Sequence, residues 1–521
     1  MNLAHILESR AAESPDARGL LFEDGRSWTF GELNAAASHA AMELGGAGSH
    51  QGQRIGLYVP TGPEFIILLF AIWKTGATAA TINYGYRDAD LGHALELSAP
   101  SVVLTDGCRS AAAIETTAGR TVLDIAQPGG IGDAITNTRD DGVALTSPDV
   151  LADAESTIIF TGGSTGKPKA VARLHKGEYE SIATLARNGM RGATEPYPAA
   201  SPATPPNLVC LPLAHAGGQK STLFSFHVGR TVLLLSRFEV GKVVELIKQY
   251  RVTNLTLMPT MMHDLSGFPG GADLSSVRSV LATGQELRPA VRMKFEERFG
   301  IPIVSNYGST EAGTIASWSR SDIRAGKWKP GSVGKLLPGV AVEIRGEDRK
   351  PLPPGEVGEI CVASTMATRY VGEDAGEGSL LENGWVNTGD VGWLDEDDVL
   401  FLTGRVRELI KCGGLQVWPT ELEEVVLSHP QVNDAAVIGR PDDRLGEVPV
   451  AYVVPREGSG ITRDELIAYC RDRVAHYKAI RDAVLVEALP RTDVGKLAKS
   501  TLVEWDLRNS TAGGVADGGH E

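Results

Sequence analysis

The feature that most constrains this chain is an alternation of short, continuously apolar runs with amphipathic helical stretches. Strands that are apolar throughout are typical of sheets covered on both faces. Helices are predicted between such runs at 240–252 and 288–300, the second ended by Gly300 and Pro302. The pattern predicts an α/β fold. The predicted strands are RIGLYV (54–59), SVVLTD (101–106), STIIFTG (156–162), NLVCLPL (207–213), TVLLL (231–235), NLTLMP (254–259) and SVLATG (279–284).

The length of the chain and a change in its character indicate a second, smaller domain. With 521 residues the chain exceeds what a single hydrophobic core supports, so we expect at least two domains. A large N-terminal α/β domain is predicted over 1–404 and a small C-terminal α+β domain over 405–507. The polar, glycine-rich end at 508–521 is predicted to be a disordered tail.

Two candidate capping boxes mark the helices of the small domain. Thr420 with Glu423, and Thr462 with Glu465, each place a hydroxyl and a carboxylate three residues apart before an amphipathic stretch. In a capping box the two side chains satisfy each other's backbone amides at a helix start. Between the two predicted helices, AAVIGRP and VPVAYVVP predict two strands.

Composition and charge argue against several classes of partner. The formal net charge is -15, whereas nucleic acids and anionic membranes attract basic surfaces. The most apolar run, 65–73, is shorter than the roughly 20 residues that cross a bilayer, and it predicts a buried helix. The five cysteines show no metal-site spacing and fit no simple disulfide framework. Because the N-terminus also lacks a signal-peptide pattern, we predict a reducing, cytoplasmic location.

A loop rich in glycine, hydroxyl and lysine residues follows the predicted strand at 156–162. Glycines let a backbone turn sharply and bring its amides close to an anion, and the hydroxyls and lysines add donors and charge. Such a loop suits a polyphosphate. The candidate binding residues are Thr161, Gly162, Gly163, Ser164, Thr165, Gly166, Lys167 and Lys169.

Taken alone, the loop leaves other interpretations open. It is not a Walker A loop, because the first glycine of that motif is missing and Pro168 replaces its Ser or Thr. It contains Gly162-x-Ser164-x-Gly166, the pattern of the hydrolase nucleophile elbow, but that elbow should run into a helix and a β-like stretch follows here. A plain surface loop is the third alternative, since glycine- and serine-rich runs are common in loops.

With five further motifs, the loop resembles the signature of the adenylate-forming superfamily, which comprises acyl- and aryl-CoA ligases, adenylation domains and luciferases. The chain is most similar to the AMP-forming acyl-CoA ligases. The resemblance implies a large N-terminal domain and a small mobile C-terminal domain, with the active site between them. The motifs, in family order, are TGGSTGKPK (161–169), LPLAH (211–215), NYGSTE (306–311), TGD (388–390), GRVRELIKCGGLQVWPTELE (404–423) and PRTDVGK (490–496).

The resemblance implies roles for individual residues in nucleotide binding. The loop would cradle the β- and γ-phosphates of ATP, and Tyr307 would stack near the adenine. Thr310 would contact the α-phosphate, and Glu311 would hold Mg²⁺. Asp390 would bind the ribose hydroxyls, with Arg405 assisting. The neighbouring motif residues placed in the same nucleotide site are Gly284, Asn306 and Gly308.

The resemblance also implies two conformations of the small domain. In the first, Lys496 would bridge the acid's carboxylate and the α-phosphate. A rotation about a hinge near Arg407 would then replace Lys496 with the segment 411–418, whose glycines leave a narrow passage for the pantetheine arm of CoA. The segment's candidate CoA-binding residues are Lys411, Gly413, Gly414 and Gln416.

The acyl substrate is indicated only in outline. In the family, the histidine of LPLxH, here His215, is typical of CoA ligases and aryl-acid activators, where it lies near the thiol entry and the acyl pocket. The stretch 214–221 has no aspartate to hold an α-amino group, which argues against an amino acid. The pair Gln285–Glu286 departs from the family's usual apolar stretch and indicates a polar or substituted acid.

These observations predict an enzyme that activates a carboxylic acid as an acyl-adenylate, releases pyrophosphate and transfers the acyl group to a thiol. We expect ATP, Mg²⁺ and coenzyme A as cofactors and a small-molecule acid as substrate. The alternatives are an adenylating enzyme that loads an acyl carrier protein or uses a non-thiol nucleophile, and, more distantly, a serine hydrolase that uses Ser164.

Overall fold

The computed structural model describes most of the chain and shows a mixed α/β architecture with three sheets. Structural statements below concern only the described part. The described residues are 1–107, 120–136, 143–161, 168–189, 204–363, 366, 369–371, 380–381, 384–492 and 496–512.

The first sheet has seven strands within the described residues, and its central strands run parallel. Its strands are β3 (Arg54–Tyr58), β4 (Thr78–Thr81), β5 (Val102–Thr105), β6 (Thr121–Asp124), β7 (Glu155–Thr161), β8 (Lys169–Leu174) and β18 (Arg369–Val371). They lie in the order β18-β8-β7-β4-β3-β5-β6. β7 and β8 are antiparallel, so the loop between Thr161 and Lys169 joins two neighbouring strands of one sheet.

The second sheet has fourteen described strands and spans the rest of the large domain. Its strands are β1 (Arg18–Phe22), β2 (Ser27–Thr29), β9 (Asn207–Val209), β10 (Val232–Leu234), β11 (Asn254–Leu257), β12 (Ser279–Ala282), β13 (Ile303–Ser309), β14 (Gly313–Ser317), β15 (Ser332–Leu336), β16 (Ala341–Arg345), β17 (Gly358–Ala363), β19 (Leu380–Leu381), β20 (Trp385–Leu394) and β21 (Val399–Arg405). The order is β16-β17-β20-β21-β15-β14-β13-β12-β11-β9-β10-β1-β2, with β19 beside β20. Strands β9 to β13 pair in parallel, as the apolar runs predict, and antiparallel pairing begins at β14.

The third sheet belongs to the small domain. It consists of β22 (Ile410–Cys412), β23 (Leu415–Val417), β24 (Val432–Asp442), β25 (Gly446–Pro455) and β26 (Asp482–Leu485). Three helices accompany it: α12 (Pro419–Leu427), α13 (Arg463–Arg471) and α14 (Lys499–Ala512). Its own buried core, which includes Leu422, Val437 and Leu466, supports the prediction of a separate folding unit.

Helices of the large domain pack on the sheets and complete its layers. They are α1 (His5–Glu13), α2 (Phe30–Gly46), α3 (Pro63–Lys74), α4 (Asp88–Ser98), α5 (Ile131–Thr136), α6 (His175–Gly189), α7 (Ala216–His227), α8 (Val240–Tyr250), α9 (Pro259–Gly267), α10 (Pro289–Phe299) and α11 (Arg320–Arg324). The predicted core helix at 65–73 is confirmed as part of α3, which is buried along nearly its whole length. No helix in the described ranges is both long and apolar enough to cross a membrane.

Two local predictions for the small domain are wrong. Thr420 does not cap its helix, because α12 already begins at Pro419 and the Thr420 hydroxyl donates to the carbonyl of Thr403 at 2.7 Å. The predicted disordered tail is also too long: α14 continues from Lys499 to Ala512, while 513–521 lie outside the described residues. By contrast, the capping box at the start of α13 is confirmed.

Candidate active site

Tyr307, Asp390 and Arg405 form a hydrogen-bonded group that we call the nucleotide corner. Asp390 on β20 lies opposite Arg405 at the end of β21, so the sheet register itself brings the two together. The Tyr307 hydroxyl donates to Asp390 Oδ2 at 2.8 Å, and Arg405 Nε lies 2.8 Å from Asp390 Oδ1. Three residues from separate motifs therefore meet at one carboxylate.

The protonation states of the nucleotide corner follow from its surroundings. Burial and the negative charge of Asp390 raise the pKa of Tyr307 well above its usual value, so the phenol stays neutral and donates. Burial opposes the charge on Arg405, but Asp390 and Glu408 outweigh it and raise the pKa of the guanidinium. Because a carboxylate has about four lone-pair sites, Asp390 can still accept hydrogen bonds from a ligand's hydroxyls.

A second group, Lys169, Glu311 and Tyr370, lies at the predicted phosphate end. The edge strand β18 pairs with β8 and places Tyr370 opposite Val171, close to Lys169. The Tyr370 hydroxyl donates to Glu311 Oε1 at 2.8 Å, and the Lys169 ammonium lies 5.1 Å from the Tyr370 ring centroid. The fold thus brings the predicted metal ligand beside one predicted phosphate ligand.

The carboxylate of Glu311 fits a magnesium ion that is shared with a nucleotide. The Tyr370 hydroxyl donates to Oε1 of Glu311, and because a carboxylate has about four lone-pair sites, Glu311 can also bind a further partner. No group of three or more His, Cys, Asp or Glu side chains within the described ranges could hold a metal by itself. Magnesium commonly binds through one or two carboxylates together with substrate phosphates, and that arrangement needs no larger protein cluster.

Most of the predicted phosphate loop, 162–167, lies outside the described residues. Its two ends are described: Thr161 closes β7, and Lys169 opens β8 opposite Thr161. The hydrolase elbow requires a strand that runs into a helix, whereas this loop joins two antiparallel strands. The structure therefore removes the support for a serine nucleophile at Ser164.

The remaining large-domain candidates lie around α7 and the β13–β14 hairpin. His215 precedes α7, with Nε2 3.5 Å from the side-chain nitrogen of Asn83. Gly308 packs so closely on β14 that a Cβ there would collide with the carbonyl oxygen of Gly313. Gly284 has a φ of 83°, a conformation that glycine adopts without strain. Asn306 and Thr310 belong to the same hairpin region, at either side of Tyr307.

The candidates in the small domain are exposed. The hairpin of β22 and β23 carries Lys411, Gly413, Gly414 and Gln416 on its accessible side. Gly413 and Gly414 form its turn with φ of 61° and 80°, which side chains other than glycine rarely adopt. Lys496 is also exposed, and its amide donates to the Thr492 hydroxyl at 3.1 Å. Their roles stay predictions.

The interpretation of Glu286 as a determinant of the acyl substrate does not match its surroundings. The groups that act on its carboxyl are Glu423, Glu424 and Lys499 of the small domain and Arg288 of the large one. Crowding by protein and the two carboxylates of α12 raise the pKa of Glu286 to about 7. Arg288 beside it forms an ion pair with Glu423 at 3.1 Å, so this stretch contacts the small domain.

Sequence reasoning missed Tyr370 and Lys220. Tyr370 lies outside every recognised motif, and only the pairing of β18 with β8 reveals its position. Lys220 follows His215 by five residues on α7, and its ammonium donates to the Thr314 hydroxyl at 3.0 Å. The sequence offered one signal for Lys220, namely that it is a lysine within 214–221, the stretch considered for contact with the acid.

Comparison with known proteins gives matches over nearly the whole chain. Residues 7–370 match the family model described as AMP-binding enzyme, and residues 421–496 match the AMP-binding enzyme C-terminal domain. A sulfoacetate–CoA ligase from Cupriavidus necator is 31% identical over 512 residues, which cover 96% of this chain and 97% of the relative. A feruloyl-CoA synthase from Amycolatopsis sp is 32% identical over 500 residues, which cover 94% of this chain and 96% of the relative.

A solved structure has the same fold. The o-succinylbenzoate CoA synthetase MenE from Bacillus subtilis, in complex with its acyl-adenylate intermediate, superposes with a TM-score of 0.80 at 30% identity. The match covers 95% of this chain and 97% of that one. The same synthetase has also been solved with ATP and magnesium ion.

Proposed function

The chain belongs to the family of AMP-binding enzymes, and we propose how its own residues divide the work of an acid–CoA ligase. The enzyme activates a carboxylic acid with ATP, releasing pyrophosphate, and transfers the acyl group to the thiol of CoA. The observation that supports the proposed division is the nucleotide corner, in which Tyr307, Asp390 and Arg405 already hold one another.

The nucleotide corner holds the adenosine part of ATP. Asp390 accepts from the ribose hydroxyls, because Tyr307 and Arg405 occupy only part of its lone-pair capacity. A charged acceptor fixed from two sides loses little freedom when the nucleotide binds. The adenosine is therefore held by groups that need no rearrangement.

The phosphate end lowers the charge repulsion of the first step. The acid's carboxylate must attack the α-phosphorus of ATP, so two anions approach each other. Lys169, Thr310 and the 162–167 loop bind phosphate oxygens, and Glu311 holds Mg²⁺ with Tyr370 fixing its carboxyl. The bound metal ion supplies positive charge to the phosphates. Lys496 brings a further cation between carboxylate and α-phosphate, and that charge stabilises the transition state.

The second step requires a different part of the small domain. We place the hinge near Arg407, where a 3₁₀ turn at Val406–Glu408 follows β21. Such turns are frequent connectors between elements, and this one joins the large domain to the small one. Rotation there exchanges Lys496 for the 411–416 hairpin, whose glycines at the turn leave room for a thin pantetheine arm. His215 lies near the entry of the thiol.

The acid and the thiol acceptor are assigned by separate tests. The relatives act on sulfoacetate and on a ferulate-type acid, so they do not agree on one acid class. An acyl carrier protein would present the same pantetheine thiol as CoA. The relatives are CoA ligases, which favours CoA over a carrier protein as the acceptor. We propose a cytoplasmic location, which is supported by the free, buried state of the four described cysteines, Cys210, Cys361, Cys412 and Cys470.

The proposed roles can be tested by acid-dependent exchange of pyrophosphate into ATP across a panel of aliphatic and aromatic acids. With the best acid, CoA should yield a thioester. Glu311→Gln keeps the hydrogen bond to Tyr370 but removes the charge, so we expect exchange to fall roughly 100-fold, with a higher Mg²⁺ requirement.

The matched control is Glu297→Gln on the surface of α10, which should leave exchange unchanged. An exchange rate and Mg²⁺ dependence for Glu311→Gln that equal those of the wild type would refute the metal role. Thioester formation with a pantetheinylated carrier protein but not with CoA would change the assigned acceptor and leave the adenylation step intact.

A further inference from the structure

Lys220 is a cation inside the large domain whose charge lacks a dedicated partner. Its ammonium donates to the Thr314 hydroxyl at 3.0 Å, and it forms no ion pair with any described carboxylate. A hydroxyl is a neutral acceptor and does not cancel a positive charge. Buried charges in proteins are normally paired, because leaving water is costly for an ion.

The charges around Lys220 do not compensate it either. Arg173 and Glu178 pack nearby, and Glu178 is already ion-paired with Arg173. Burial, followed by the charge of Arg173, lowers the pKa of Lys220 to about 8, and Glu178 offsets this only in part. The three side chains together carry one excess positive charge, placed where a second anion would be stabilised.

Lys220 lies between two of the motifs that are predicted to form the active site. It lies on α7, the helix that begins directly after His215. Its partner Thr314 lies on β14 opposite Gly308, which immediately follows Tyr307 of the nucleotide corner. Although surrounded by protein, Lys220 keeps part of its surface accessible, so a ligand could reach it.

A purely structural role explains these features less well. A hydrogen bond to Thr314 would need only a neutral donor, and an aliphatic side chain could fill the same space between α7 and β14. An ammonium at this site costs stability unless something restores its lost solvation. An anionic group of a bound ligand would do so, and under the proposed function the acid binds near His215, at the start of the same helix.

We propose that Lys220 binds a second anionic group, a carboxylate or sulfonate, at the end of the acid that is not activated. This inference rests on the proposed function, since it assigns the acid class of the same active site. The preferred substrates are then dianionic acids, and Lys220 is a specificity-determining residue. Thr314 holds its ammonium in position before the acid binds.

The test compares matched acids that differ only in the distal charge. Three pairs serve: sulfoacetate with 3,3-dimethylbutanoate, succinate with 4-methylpentanoate, and 4-carboxycinnamate with 4-isopropylcinnamate. The measured quantity is kcat/KM for acid-dependent pyrophosphate exchange, taken as the ratio of dianionic to neutral-ended acid. For the wild type we expect this ratio to exceed one for at least one pair.

Lys220→Met keeps the length of the side chain and removes its charge. We expect the ratio to fall roughly 100-fold, because a desolvated charge pair loses one partner. Lys220→Arg should keep most of the preference. Lys242→Met, at a partly exposed lysine of α8 that pairs with Glu245, should keep all of it. Exchange with the neutral-ended acids reports whether Lys220→Met still folds and binds ATP.

A pH profile separates charge recognition from packing. For the wild type, kcat/KM for the dianionic acid should fall as the pH rises through about 8, since the free ammonium then loses its proton. The profile of the matched neutral-ended acid should lack this fall, and Lys220→Arg should lack it with both acids.

The outcomes distinguish the two proposals. Exchange that prefers the neutral-ended acids, or a ratio that Lys220→Met leaves unchanged, would overturn the role of Lys220 while the ligase activity stands. Absence of exchange with every acid of the panel, charged or neutral, would overturn both.

Discussion

The nucleotide corner and the small domain's candidate residues differ in how far the fold fixes them. Tyr307 and Asp390 are buried and hydrogen-bonded to each other, whereas Lys411, Gly414 and Lys496 are exposed. The nucleotide corner is fixed by hydrogen bonds among its own side chains, whereas the candidates of the small domain lie at the surface. Under the proposed roles, nucleotide binding would belong to the fixed region and the chemistry of each step to the exposed one.

This division has a physical reason. The adenosine part of the nucleotide is the same in ATP and in the acyl-adenylate, so one rigid site serves both steps. In the proposed mechanism, Lys496 serves the carboxylate attack and the 411–418 segment serves the thiol attack, and the two would use the same space at different steps. A movable domain can present each set in turn.

The largest effect is expected for Lys496→Ala, which tests whether the small domain supplies a different group to each half-reaction. We expect the adenylation rate to fall roughly 1,000-fold, because a cation at the reacting oxygens is lost. Transfer to CoA from a chemically prepared acyl-adenylate should change less than about threefold, since Lys496 has left the site by that step. Single-turnover measurement of each half-reaction checks this.

The control for this substitution is Lys499→Met on the same terminal segment. Lys499 forms ion pairs with Glu408 and Glu423, both 2.8 Å away, so its loss should lower the small domain's stability without separating the half-reactions. Equal losses of both half-reactions in Lys496→Ala would show that the lysine is not specific to one step.

The second-largest effect is expected for a substitution in the nucleotide corner. Asp390→Asn keeps the shape of the side chain but weakens its bonds to Arg405 and to the ribose. We expect KM for ATP to rise roughly 50-fold, because hydrogen bonds to a charged group are about twice as strong as neutral ones.

Both half-reactions should suffer in Asp390→Asn, since both bind adenosine. Asp395→Asn, an aspartate that pairs with Lys329 at the far end of β20, provides the matched control. A KM for ATP that stays at the wild-type value would contradict the ribose role.

The smallest effect should follow from Tyr307→Phe. The substitution keeps the ring beside the adenine and removes one donor to Asp390, which costs one hydrogen bond, or about a factor of 5 in ATP affinity. Titration of ATP binding, with thermal unfolding as the stability control, measures it. A loss approaching that of Asp390→Asn would mean that the rigid corner depends on Tyr307 as much as on the carboxylate.

The sequence predicted the α/β class and the order of motifs because both depend on local signals. The apolar runs gave the parallel strands, and the site residues Tyr307 and Asp390 carried motif signatures. Tyr370 and Lys220 had no such signal. Their positions depend on strand pairing between distant segments and on helix packing, which one sequence does not display.

The two predicted capping boxes show the same limit of prediction from local sequence, since only one of them forms. Thr462 and Glu465 bond each other's backbone amides and so cap the start of α13. Glu423 is instead drawn into the core, where it accepts from the Val437 amide at 2.9 Å and pairs with Arg288. Tertiary partners therefore overrode a local pattern that fitted equally well.

The pairing of Asp390 with Arg405 would place the proposed hinge near Arg407 next to the proposed nucleotide site. In a rotating body, points near the axis hardly travel, while points far from it sweep a wide arc. The acyl-adenylate, a mixed anhydride, would stay in place at this axis while Lys496 and then the 411–418 segment move into contact with it. Such an arrangement spares a hydrolysable intermediate any transit through water.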